Sequence, residues 1–222
     1  MLSATVSRTL WLLALTVVAG EEERPDCSAL DGTKIFYHTA CKDFLGRAAG
    51  ILYMLEHMEV KFTCEPKDDA PTDTYPVFAV PNVLMPDGIF MSQTPLIMQT
   101  LGKRAGLSPE EGSAKDVHAM QATLNAADML VDVRDGKPLM ENPERMKKWI
   151  GVFEGQLKVE GDYLVGELSY ADFATFWIIN KRIAILSAEE QALFPLVTSW
   201  LERMKGIKGV TSATAKGWPV GY

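Results

Sequence analysis

The chain has 222 residues, of which 22 are Lys or Arg and 29 are Asp or Glu, giving a formal charge of −7 with histidine neutral. Apolar residues at 47%, aromatics at 9% and charged residues at 23% are ordinary globular values, and they exclude disordered, collagenous, coiled-coil and transmembrane-bundle classes. The acidic balance supplies no clustered Lys and Arg for nucleic acid and argues against a peripheral binder of anionic membrane.

Residues 1–20 read as a signal or targeting peptide. Arg8 precedes the apolar run from Thr9 to Gly20, which Glu21-Glu22-Glu23 closes. That run is short for a bilayer span, which takes about 20 residues, and has the length of a signal-peptide core. It implies the secretory pathway or an organelle; without it the chain would be cytoplasmic. Residues 21–33, charged and turn-rich, read as a linker.

From Lys34 the pattern predicts structure. Lys34–His38 is a short β-prone run, and Phe44–Met58 has helical spacing in Leu45, Ala48, Ala49, Leu52, Leu55 and Met58. Val60–Cys64 alternates as a second strand. Pro66–Pro76 is loop, and Val77–Leu84 and Gly88–Met91 are strands joined by the turn Pro86-Asp87-Gly88. A helix begins at Thr94-Pro95 and runs to about Arg104. Two strands flanking a helix imply a parallel pair with a right-handed crossover, and the later two an antiparallel hairpin. The fold class is therefore an α/β thioredoxin-like domain over 34–106. Beyond the linker Leu107–Gly112 the helical period dominates and strands vanish, so 113–222 is an all-α bundle. Its helices are predicted over Ser113–Asp132, Pro143–Val159, Tyr170–Leu186 and Pro195–Met204.

Three cysteines, Cys27, Cys41 and Cys64, are too few for a disulfide framework, and His38, His57 and His118 are scattered, so no metal is expected. Three local signals point to chemistry. In Gln93-Thr94-Pro95, Thr94 suits an N-cap and Pro95 the first helical position. A helix start offers unpaired N–H groups and partial positive charge, which can hold a carboxylate, or it can simply be a capped helix. Pro81 removes a ladder hydrogen bond from a run that otherwise reads as strand. A cis Val80–Pro81 bond would turn the Val80 backbone toward an extended peptide ligand; a trans bond would be an ordinary strand start. Ser169 with Asp172 three residues later is a capping-box variant opening an apolar helix, and its role is structural.

Together Gly46-Arg47-Ala48, Gln93-Thr94 and Gly166–Asp172, in that order and on those elements, resemble the cytosolic-type glutathione S-transferase family, with sigma- and omega-like features. The resemblance implies a glutathione transferase that uses glutathione as co-substrate, activates its thiolate and conjugates it to a small hydrophobic electrophile. It also implies a homodimer. By the same resemblance, Thr94 contacts the γ-glutamyl carboxylate with Gln93 as second contact, and Val80 before Pro81 pairs with the cysteinyl backbone. Pro81-Asn82-Val83-Leu84 is one residue longer than the family's pattern. Two residues compete for the catalytic place. Tyr37 ends the first strand and would be the hydroxyl donor of tyrosine-type members. Cys41 lies five residues before Gly46, the family's usual spacing, though Lys42 replaces the usual proline after it. A cysteine there implies glutathione-dependent thiol transfer or reduction. A non-catalytic structural or binding module on the same fold is the third reading. The electrophile wall is expected around Met120, Leu124, Ala127 and Met129.

Overall fold

The computed structural model describes residues 26–134 and 137–218. The targeting peptide expected over 1–20 lies outside the described residues. Part of the expected linker is packed rather than loose: Cys27 and Leu30 are buried, and the Gly32 N–H donates to the Lys61 carbonyl at 2.7 Å.

The first strand, β1 (Thr33–Tyr37), leads through a loop and a short 3-10 turn at Gly46–Ala48 into α1 (Ala49–His57) and back along β2 (Phe62–Pro66). β1 and β2 are parallel, with Ile35 opposite Cys64 and Tyr37 opposite Pro66. β3 (Asn82–Leu84) and β4 (Phe90–Ser92) form the antiparallel hairpin, and the sheet order is β2-β1-β3-β4. Period-two alternation sets the faces: Ile35 and Tyr37 join the main core, while Phe36 on the other face meets Phe90 edge-on at 6.3 Å. β3 begins only at Asn82, so Val77–Ala79 is not strand as expected. Pro81 can donate nothing to a ladder, and the segment before it stays irregular.

α2 (Thr94–Arg104) completes the first domain. The helical domain follows with α3 (Ala114–Val131), α4 (Pro143–Glu160), α5 (Tyr170–Ile183), α6 (Ala188–Gln191), α7 (Pro195–Lys205) and α8 (Lys208–Ala215). It is not free of strands: β5 (Val133–Arg134) and β6 (Lys137–Pro138) pair antiparallel in the α3–α4 connection. The two short helices α6 and α8 were also absent from the expectation. α8, Lys-Gly-Val-Thr-Ser-Ala-Thr-Ala, has little apolar period of its own and is held from outside. Its Gly209 abuts the Tyr53 carbonyl so closely that no Cβ would fit, and its Ser212 hydroxyl donates to Glu56 at 2.6 Å.

α5 is the spine of the molecule, buried without a break from Tyr170 to Ile179. Two crossings fix the first domain against it. A Cβ at Gly50 of α1 would lie 2.6 Å from the Phe173 carbonyl, and one at Gly102 of α2 would lie 2.6 Å from the Tyr170 Cβ. The start of α5 is tied by Asp172, which is fully buried and accepts from the N–H groups of Leu164 and Ser169, the Ser169 hydroxyl and the Trp200 indole at 2.9–3.0 Å. The capping pair Ser169–Asp172 read from the sequence is present in this form. Burial pushes the Asp172 carboxyl up to about 6, against the opposing pull of those four donors.

Candidate active site

Between the two domains lies a cavity of about 520 Å³, lined by Tyr37, His38, Phe44, Gly46, Arg47 and Val80 from the first domain. Leu130, Met140, Trp177, Lys181 and Arg182 line it from the second. A narrow adjoining recess shares Arg47, Leu130 and Trp177 and reaches Thr94 and Pro95 at the start of α2.

Tyr37 is delivered to this cavity by the end of β1. Its hydroxyl oxygen accepts from the Arg47 N–H at 3.0 Å, at the turn that opens into α1. The ring stacks on Phe44 with centroids 5.9 Å apart. Gly46 makes the approach feasible. It has φ +40°, and a Cβ there would lie 2.5 Å from both the Tyr37 hydroxyl and the Phe44 ring. So Tyr37, nine residues ahead of Gly46 in sequence, reaches the helix start because the intervening loop bulges away. Thr39, Ala40 and Cys41 in that loop all have positive φ.

Cys41, with the usual sequence spacing, is 1% exposed and does not line the cavity. Its thiol hydrogen-bonds with that of Cys64 on β2, and this contact, then burial, pushes the Cys64 thiol up. Both cysteines are unbridged.

Val80 lines the cavity beside Tyr37, and its bond to the buried Pro81 is cis. Among the described residues, no backbone hydrogen bond engages the Val80 main chain. Gln93 is exposed and left-handed at φ 73°, a conformation that non-glycine residues hold chiefly at functional or strongly constrained places. It, not Thr94, is the N-cap of α2; Thr94 is the first helical residue. The Thr94 hydroxyl donates to the Arg47 carbonyl at 3.4 Å, a long and weak bond. Arg47 thus touches Tyr37 through its N–H and Thr94 through its carbonyl, joining the two ends of the site.

The electrophile wall differs from the expectation. Met129 is buried in the core and Leu124 is exposed; Ala127 reaches only the narrow recess. Leu130, Met140 and Trp177 supply the apolar surface, and Lys181 and Arg182 line the same cavity. Trp177 and Lys181 are four apart on α5, a spacing that puts both on one helix face. No single-sequence signal separates that face from the rest of an apolar helix. Among the described residues, no group of three or more His, Cys, Asp or Glu is placed to hold a metal.

Residues 134–216 match the glutathione S-transferase C-terminal domain. No curated protein matches the chain. Solved structures with the same fold include a glutathione S-transferase from Ascaris lumbricoides, at 16% identity and TM-score 0.68, covering 85% of this chain and 98% of that one. A Pi-class glutathione S-transferase from Onchocerca volvulus is 19% identical with TM-score 0.67, covering 86% and 98%. Prostaglandin synthase D from Nilaparvata lugens is 20% identical with TM-score 0.62, covering 83% and 98%. The sheet of the first domain, the helical second domain and these matches bear out the resemblance read from the sequence: the chain has the glutathione S-transferase fold and carries that family's C-terminal domain.

Proposed function

We propose that this protein is a glutathione transferase that uses Tyr37 to hold the glutathione sulfur as thiolate for attack on a small apolar electrophile. One observation carries the reading: Tyr37 lines the interdomain cavity, and its hydroxyl oxygen accepts from the Arg47 N–H at the turn that opens α1. The residues fit the tripeptide. Val80 lines the cavity with a main chain that is free to pair with an extended backbone among the described residues, and the α2 start at Thr94 suits a carboxylate. Rotation of the Thr94 hydroxyl off its weak bond to Arg47 would add a second donor there.

Lowering a thiol pKa from about 8.5 by two units takes about 2.7 kcal/mol of differential stabilisation. One hydrogen bond to a charged acceptor contributes about 1.5–3 kcal/mol. A phenol whose oxygen already accepts from an N–H is polarised to donate more strongly through its own proton. The thiol proton leaves to solvent, the sulfur lone pair forms the new bond to carbon, and the electrophile loses its leaving group with the displaced electron pair. Leu130, Met140 and Trp177 exclude water from that carbon.

Thiol reduction through Cys41 is the second reading, and it rests on the Cys41–Cys64 contact, which places a resolving thiol at hand. Tyr37 and Cys41 are both buried, but of the two Tyr37 lines the cavity, and this favours Tyr37. A homodimer is part of the proposal, supported by Tyr75 and Phe78, which are 62% and 101% exposed on one loop. Conjugation and thiol-reduction rates of Tyr37→Phe and Cys41→Ser beside the parent test the assignment. Conjugation lost only in Tyr37→Phe supports it; both assays unchanged in both variants would overturn it.

A further inference from the structure

Conjugation through Tyr37 leaves two sulfurs unused, and the fold brings them together. Ile35 and Tyr37 point to one face of β1, and Cys64 pairs with Ile35 across the parallel ladder, so Cys64 lies on that same face. The chain after Tyr37 turns back over it. Thr39, Ala40 and Cys41 hold φ of 49°, 47° and 60°, left-handed values that residues with a side chain rarely adopt in succession. This turn packs His38–Cys41 on β2 and carries Cys41 into the main core. There the two thiols hydrogen-bond, and both are free. Cys41 is buried and Cys64 half-buried, so Cys64 is the more accessible of the pair. Tyr37 lies just before the turn and Phe44 three residues after Cys41, and both line the cavity.

We propose that Cys41 and Cys64 form an oxidisable pair: hydrogen peroxide closes them to a disulfide, a thiol reopens them, and closure shifts the loop between Tyr37 and Gly46. One sulfur attacks a peroxide oxygen, the O–O bond breaks, and a sulfenic acid and one water form. The other sulfur then attacks the first, the S–O bond breaks, the S–S bond forms and a second water leaves. In all, the two thiols give up two protons and two electrons, and the peroxide takes them. Disulfide sulfurs stand about 2.05 Å apart, closer than two hydrogen-bonded sulfurs, so the bond draws Cys41 toward β2. Close-packed interiors pass such a shift on. Little slack absorbs it here, since the Phe44 ring stacks on Tyr37 and Gly46 has no room for even a Cβ beside both. The pair is thus a control on Tyr37 rather than a catalytic dithiol, and no substrate enters at the cysteines. It rests on the transferase reading only for its effect on the rate.

The test treats the reduced full chain with excess hydrogen peroxide, alkylates the remaining thiols after denaturation and maps the products by mass. The expected product is lighter by two hydrogens and takes alkyl label on Cys27 alone. It yields linked peptides holding Cys41 and Cys64, which dithiothreitol separates. Conjugation by the oxidised chain is expected to fall roughly 10- to 100-fold, the scale of a small misplacement at a reacting group, and to return on reduction. Neither Cys41→Ser nor Cys64→Ser forms the link or shows this reversible loss. Thiols that all survive the treatment, a disulfide through Cys27, or oxidation that ends in sulfinic acid without a link would overturn the pair. A Cys41–Cys64 link that leaves conjugation unchanged would overturn the control on Tyr37. A reduced parent that conjugates nothing removes the transferase reading instead; the mass map then still decides on the pair, and amide hydrogen exchange over His38–Leu45 decides on the loop.

Discussion

The Tyr37 hydroxyl oxygen accepts a hydrogen bond from the main-chain N–H of Arg47 at 3.0 Å, so a residue at the end of a strand is locked to the turn that opens α1, ten positions further along the chain. In the proposed mechanism, removing that hydroxyl takes away one interaction made chiefly with the charged sulfur. Tyr37→Phe is expected to lower kcat/KM for conjugation by roughly 10- to 100-fold while leaving glutathione affinity within about a factor of two. Its pH–rate profile moves to higher pH, because the thiol regains its ordinary acidity. A profile that stays in place would show that another group holds the thiolate.

Gly46 is where this arrangement is most sensitive to a single methyl group. With φ at +40° and both the Tyr37 hydroxyl and the Phe44 ring 2.5 Å from where a Cβ would sit, Gly46→Ala forces the aromatic pair aside. Thermal unfolding should show a loss of about 1–3 kcal/mol, and conjugation should fall along with it. A stable Gly46→Ala with full activity would mean that Tyr37 does not act from this position.

Asp172 gives a pH signature. Its folded pKa, about 6, lies above the ordinary carboxyl value of 3.8, so the folded state binds the proton more tightly than the unfolded one. The contribution is therefore full below about 4 and is lost as pH rises through about 6. Asp172→Asn removes this titration, so the parent's stability minus the variant's should fall between pH 4 and pH 6. The variant is also less stable overall, by about 2–5 kcal/mol, because the Asn amide cannot accept from all four donors. Trp200→Phe keeps the carboxyl but deletes one donor, and shifts the midpoint to higher pH. Denaturant unfolding across this range measures all three. A flat difference between parent and Asp172→Asn would contradict the account.

The exposed pair on the loop before the proline bears on assembly. Phe78→Ser is expected to convert a dimer to monomer in sedimentation while leaving the fold intact, since the side chain contacts solvent in the single chain. A parent that sediments as a monomer would remove the dimer from the proposal.

The architecture was legible because it is carried by local patterns: alternation in β1, helical spacing in α1, the Pro86-Asp87-Gly88 turn and the Ser169–Asp172 pair each act within a few residues. What was hidden is what depends on distant partners. α8 exists because α1 accepts Gly209 and Ser212, and nothing in its own period announces it. The site was half-visible for the same reason. Tyr37, Val80 and Thr94 follow from the family resemblance, but residue spacing alone does not show how the His38–Leu45 loop bulges, which brings Tyr37 and not Cys41 into the cavity lining.

The central claim is that this cleft binds reduced glutathione and ionises its sulfur. Calorimetric titration with millimolar glutathione, repeated in buffers of different ionisation enthalpy, tests it directly. A saturable heat whose size varies with the buffer, reporting proton release on binding in the parent and less in Tyr37→Phe, is the predicted result. No saturable heat, or binding with no proton released, would contradict it.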